Sequence, residues 1–264
     1  MPTSVKLRFG DIAAPVAVAI LFLVGWEAIV RAYAIPPYIL PGPLLVAKTL
    51  WTDGPSLLDS LLVTLRTTLA ALAAAASLGL ALAIALSQSR LIERSFYPYL
   101  VILQVTPIVS IAPLIIIWVN DVFLSLLVCA WIVAFFPVVA NTTLGLNSTD
   151  PGLEDLFKLY RANRRQRLVY LRLPTAMPYF MAGVRISGGL ALIGAVVAEF
   201  VAGSGGADSG LAFRILEAGY RLQIPRLFAA LLLLSLAGVV IHVVLGLAAR
   251  WMLRGWHESE LRDR

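Results

Sequence analysis

Residues 67–89, 95–120, 122–149 and 227–249 each run without a single Asp, Glu, Lys or Arg. A helix rises about 1.5 Å per residue, so roughly 20 such residues cross the ~30 Å hydrocarbon core of a bilayer. Two further runs are nearly as clean: residues 12–30, with Glu27 near the end, and residues 173–198, broken only by Arg185. The runs are rich in Leu and Ala and lack the ten-residue alternation of barrel strands, so helices are expected. An all-α polytopic membrane protein follows, with about six transmembrane helices near 12–30, 67–89, 97–119, 122–146, 176–201 and 227–249 in a single domain over 1–264. With 60% apolar and 14% charged residues, too little charge remains to cover a soluble domain of this size. Lys6, Arg8 and Ala32-Tyr33-Ala34 resemble parts of a signal peptide, but Glu27 and Arg31 fall between the apolar region and such a cut, so an uncleaved first span is expected.

Charge placement orients the spans. With the N-terminus inside, the cytoplasmic segments hold 14 of the 21 Lys and Arg residues and the opposite segments hold five. Arg66 and Arg185 lie within spans. Both termini are therefore expected in the cytoplasm. The net charge of +6 is scattered between apolar runs and forms no separate basic domain, which argues against a nucleic-acid partner. Cys129 is the only cysteine, so neither an internal disulfide nor a thiolate metal site can form.

Two segments interrupt the spans. Residues 34–59 are outside and proline-rich, with a short interfacial helix expected over 44–51 and Trp51 at headgroup depth. Residues 147–175 form the longest cytoplasmic loop. There Asp150 suits a helix N-cap, Pro151 the first helical position, and Glu154 and Asp155 the positive end of the dipole. Leu153, Leu156, Phe157 and Tyr160 recur at helical spacing and predict one apolar stripe. Leu173-Pro174 and Met177-Pro178 are expected to end this unit and lead into the fifth span. A basic segment lying on anionic headgroups is the alternative use of such a loop.

Polar features within the spans are few. Arg185 and Glu199 lie about 21 Å apart along one helix and cannot pair with each other. Arg185 can snorkel towards the cytoplasm; Glu199, beside a glycine-rich turn, is a candidate outer gate, structural satisfaction being the other use of each. Prolines 98, 107, 113 and 137 are expected to kink or break the third and fourth spans, and Gln104, Thr106 and Ser110 around them are candidates to line a path or to pack between helices. Gly183-x-x-x-Ser187, Gly189 and Gly194 favour close helix packing. His242 and His257 stand alone in the sequence and read as packing residues. No catalytic constellation is visible, and Gly42…Lys48-Thr49 lacks the second glycine of a phosphate loop, having Ala47 in its place. No cofactor is expected, and any ATP must be handled by another subunit.

Residues 150–178, DPGLEDLFKLYRANRRQRLVYLRLPTAMP, resemble the coupling-loop signature of binding-protein-dependent ABC importer permeases. Ile39-Leu40-Pro41-Gly42-Pro43, Thr106-Pro107, Ala112-Pro113-Leu114, Trp118, Phe135-Phe136-Pro137 with Asn141 and Gly145, and Ala198-Glu199 before Gly210-Leu211 match further family segments in order. The resemblance runs from about Ile35 to Arg250 and is nearest the nitrate/sulfonate/taurine type, which includes pyrimidine vitamin-precursor members. It implies a type I importer fold in the bacterial inner membrane, a second permease subunit, ABC ATPase subunits under the loop, and an extracytoplasmic solute-binding protein. On that resemblance Asp150, Gly152, Glu154, Asp155, Phe157, Tyr160, Arg161, Leu173 and Pro174 form the ATPase-coupling loop. The chain departs from the family at Phe157, in place of alanine, and Arg161, in place of glycine; arginine resists the glycine turn, so a differently shaped tip is expected. A self-sufficient secondary transporter is the rival, and it predicts internal repeats that the sequence lacks.

Overall fold

The computed structural model describes residues 9–203 and 209–253, and every regular element among them is helical. In chain order they are α1 (Phe9–Ala32), α2 (Pro43–Ser87), α3 (Arg90–Val105), α4 (Ile108–Val119), α5 (Val122–Asn147), α6 (Pro151–Leu159) and α7 (Arg164–Arg167). A π-helical turn (Leu168–Arg172) then leads into α8 (Leu173–Ala202), followed by α9 (Leu211–Tyr220) and α10 (Ile224–Leu253). Five helices are long and apolar enough to cross a membrane, and the bent pair α3–α4 makes a sixth if counted as one span. His257, the glycine-rich turn after Gly203, and the basic residues Lys6, Arg8, Arg254, Arg262 and Arg264 lie outside the described residues.

Two local expectations are corrected. The short helix over 44–51 is the opening of the 45-residue α2: Pro43 occupies its first position, where a missing N–H costs nothing, and the helix continues through Pro55. Of the four span prolines only Pro107 breaks a helix. It holds Thr106 extended at φ −70° and ψ 123°, and α3 and α4 meet at 97°. Leu173-Pro174 opens the expected fifth span directly, with Pro174 in the first turn of α8 and Pro178 inside it. The wider π turn just ahead, closed by the Leu173 N–H donating to the Leu168 carbonyl, accommodates the proline.

The chain divides into two compact units. In the first (residues 9–63 and 209–236), Leu57 and Leu211 are fully buried against Val46, Ile215, Ala229, Ala230 and Leu233. Arg226 reaches Asp53 at 3.7 Å and Ser56 Oγ at 3.3 Å, and Arg214 donates to Ser60 Oγ at 3.1 Å. The indole of Trp26 lies 5.8 Å from the ring of Phe228. Glu27 pairs with Arg31 at 2.6 Å and accepts from the Leu44 N–H at 3.3 Å, so this carboxylate near the end of α1 caps the start of α2.

In the second unit (residues 64–203 and 237–253), α5 and α8 are the principal packing pair. Their backbones meet at glycines. A Cβ on Gly183 would stand 2.8 Å from the Pro137 carbonyl oxygen, one on Gly194 2.8 Å from Ala130 Cα, and one on Gly145 2.9 Å from Ala176 Cα. Ser187, one turn beyond Gly183, donates its hydroxyl to the Ala134 carbonyl at 2.6 Å and is fully buried. The expected small-residue seam is therefore built by Gly183, Ser187 and Gly194. Gly189 is not part of it: it faces outward with open space around it. Arg66 stacks over the Phe123 ring at 4.6 Å, which gives that intramembrane charge an aromatic face.

Candidate functional site

The loop between α5 and α8 folds as its sequence dictates. The Asp150 carboxylate accepts from the N–H groups of Gly152 (2.6 Å) and Leu153 (3.2 Å), Pro151 opens the helix, and α6 runs to Leu159. At the far end the Arg161 N–H donates to the Lys158 carbonyl and the Ala162 N–H to the Phe157 carbonyl, both at 2.9 Å. That pair of bonds closes a helix whose next residue is left-handed, a position glycine usually fills. Arg161 fills it with φ 55°. The expectation of a differently shaped tip is thus overturned: the turn is the one glycine would make, with arginine held in the left-handed region by two hydrogen bonds. The next turn is fixed by Asn163 and Gln166, each side chain accepting from the other's backbone N–H at 2.8 Å.

The apolar stripe divides on the surface. Leu153 and Leu156 are half-exposed and Tyr160 is 81% exposed, as is Leu159, which the sequence pattern did not include. Phe157 is turned partly inward, towards the side on which Glu154 lies. Glu154 is the residue whose role sequence reasoning missed. Its carboxylate meets Arg172 Nε at 2.6 Å and Arg167 Nη1 at 3.5 Å, tying α6 to the base of α8. The hydrogen bond from Arg172 is the main reason its carboxyl is held below the usual carboxylate value. The only signal in the sequence was an acidic pair, Glu154-Asp155, ahead of an arginine-rich stretch in which Arg167 and Arg172 follow Glu154 by 13 and 18 residues. Asp155, by contrast, is exposed and pairs with Lys158 at 2.8 Å. Leu173 and Pro174 lie beyond the π turn, in the first turn of α8.

A cleft of about 560 Å³ opens beside α6, lined among others by Gln88, Arg90, Glu93, Asn147, Glu154 and Lys158. Asn147 donates to both oxygens of Glu93 at 3.3 Å, linking the end of α5 to the start of α3. The cleft is mixed in charge, and α6 beside it and the residue that follows expose Leu153, Leu156, Leu159 and Tyr160.

The remaining candidates stand apart from it. Thr106 forms the bend between α3 and α4, its hydroxyl donating to the Ile102 carbonyl at 2.7 Å, while Gln104 and Ser110 are exposed on either side. Glu199 is 3% exposed near the end of α8. Arg185 does not stand alone: its guanidinium lies 3.0 Å from the Nε2 of His242 on α10, so two residues that looked solitary in the sequence meet.

Comparison with known proteins agrees with this architecture. Residues 75–255 match the family model described as the binding-protein-dependent transport system inner membrane component. A probable ABC transporter permease of Haemophilus influenzae is 34% identical over 90% of this chain and 94% of its own. The riboflavin transport system permease RibX of Chloroflexus aurantiacus is 39% identical over 90% and 88%. The formylaminopyrimidine transport permease ThiX of Halalkalibacterium halodurans is 32% identical over 86% and 89%. The crystal structure of an amino acid ABC transporter with histidines superposes with a TM-score of 0.61 at 18% identity, covering 76% of this chain and 96% of that one, which speaks for the fold alone. The chain belongs to the family of binding-protein-dependent transport system inner membrane components, the permease subunits of ABC importers.

Proposed function

We propose that α6 is the surface on which a separate ATPase subunit seats itself, and that its movement switches this permease subunit between inward- and outward-facing states. The observation that carries this is the combination on one short helix of exposed Leu153, Leu156 and Tyr160 with an ion-paired strut, Glu154 to Arg172 and Arg167. The exposed residues want a partner groove, and the strut passes its displacement to α8. A second permease subunit, identical or not, completes the path, and both termini face the cytoplasm. A binding protein delivers the solute outside. The riboflavin and formylaminopyrimidine names above, with sulfonate permeases of Bacillus subtilis and Escherichia coli at 30% identity, support a small sulfonate, nitrate-like anion or pyrimidine-type precursor as cargo. Gln104, Thr106 and Ser110 are assigned to the path and Glu199 to the outer gate.

The experiment is co-purification of the ATPase with Leu156→Asp and Leu153→Asp variants at matched membrane levels, followed by reconstituted uptake. Each is expected to cost about 2–4 kcal/mol of docking, enough to lose most of the ATPase. Full recovery with both would place the docking surface elsewhere. In the same uptake assay, unchanged transport by Glu199→Gln and by the Gln104→Ala/Ser110→Ala pair would assign those residues to packing.

A further inference from the structure

We propose that Arg185 and His242 form a site within the membrane for an oxyanion group of the carried solute. Both residues belong to the second unit, and the guanidinium Nη2 stands 3.0 Å from His242 Nε2. Arginine can only donate, so Nε2 accepts, and the neutral imidazole carries its proton on Nδ1. Everything the pair still offers outward is a donor: the remaining guanidinium N–H groups and the imidazole Nδ1–H. Such a surface matches a group with acceptors and negative charge, and the planar fork of arginine suits a carboxylate, sulfonate or nitrate.

Depth and surroundings argue that the charge serves a path. Counted from the expected span ends at residues 176 and 249, Arg185 lies about 14 Å along α8 and His242 about 10 Å along α10, both well inside a ~30 Å core. Both are nevertheless exposed on the chain. Among the described residues no carboxylate forms an ion pair with Arg185, and a neutral imidazole cannot cancel its charge. An exposed, uncompensated arginine at that depth is among the costliest residues to face lipid, and such residues characteristically face a water-filled cavity. Small residues keep the surroundings open. Gly189, one turn along α8, has nothing within 4 Å of where its Cβ would be, Ala182 is exposed one turn back, and a Cβ on Gly246 would stand 3.7 Å from the Arg185 guanidinium.

The inference rests on the chain lining the solute path, and its test is separate from that of ATPase docking. Gly189→Cys is introduced on a Cys129→Ser background in membranes holding the assembled transporter. It is then treated with anionic sulfonatoethyl and cationic trimethylammonioethyl methanethiosulfonates. Both should react, the anionic reagent roughly 10-fold faster, at the low end of the enrichment a focused positive field produces. Arg185→Gln should abolish that preference, Arg185→Lys should keep it, and excess ethanesulfonate should slow the anionic reagent in the parent only. Failure of both reagents would mean that the face meets lipid, and a disulfide between two copies at position 189 would mean that a second subunit covers it. A preference surviving in Arg185→Gln would show that the field comes from elsewhere. Each of these three results overturns the proposal, while ATPase co-purification from the same membranes reports independently on α6.

Discussion

Gly183 has no room for a side chain: a Cβ there would meet the Pro137 carbonyl oxygen at 2.8 Å and Val138 Cα at 3.1 Å, both backbone and so unable to swing aside. Gly183→Ala should destabilise the chain by about 1–3 kcal/mol through overpacking, partly offset by about 1 kcal/mol of helix propensity. Gly189→Ala, with open space around it, gains the propensity alone. The contrast between the two in the thermal midpoint of the detergent-solubilised protein is the measurement, and equal midpoints would refute the tight seam. The spacing of Gly183 and Ser187 was readable from sequence because one turn of helix puts both on one face. That Gly189 points away was not, since a glycine carries no mark of which neighbour it meets. Arg161 shows the opposite failure: residue type argued against a left-handed turn, and two capping hydrogen bonds outweighed it.

On the scale of elements, the seating of α6 depends on Glu154. Its carboxyl is held below the usual carboxylate value, chiefly by the hydrogen bond from Arg172. A group whose folded pKa is depressed stabilises the fold at pH above its ordinary value, and that stabilisation disappears as pH falls through the depressed one. Acidification below the ordinary carboxylate range should therefore loosen α6 from α8, and Glu154→Gln should do the same at neutral pH. The cost should be about 1–2 kcal/mol, because the partners are partly solvated. Amide hydrogen exchange over residues 151–162 should accelerate roughly 10-fold in the variant; unchanged protection would show that other contacts hold the helix. The helix itself was legible, since Asp150-Pro151 is a local start signal. The strut was not, because it joins residues whose approach is set by the intervening turn. Pro107 likewise announced a break, but nothing in the sequence distinguished it from Pro98, Pro113 and Pro137, which their helices absorb.

For the molecule as a whole, the uncharged runs dictated helices and their order, because hydrocarbon admits no other backbone arrangement at such lengths. The division into two compact units was not legible, as α2 and α10 each contribute to both without any break in composition. The meeting of Arg185 with His242, 57 positions apart, needed three-dimensional placement. Orientation can be checked directly: on a Cys129→Ser background, Tyr38→Cys should react with an impermeant maleimide in intact cells and Leu159→Cys only after permeabilisation. Both positions are well exposed, so a reversed pattern would invert the topology. The glycine seam has a mechanical consequence here. Where two helices touch backbone to backbone at glycines, little side-chain material is left at those points to shear or repack. The loop bearing α6 hangs between the ends of just these two helices, α5 and α8. If α6 is pushed as proposed, the tight seam resists slip between α5 and α8, and the two helices should move together as one lever.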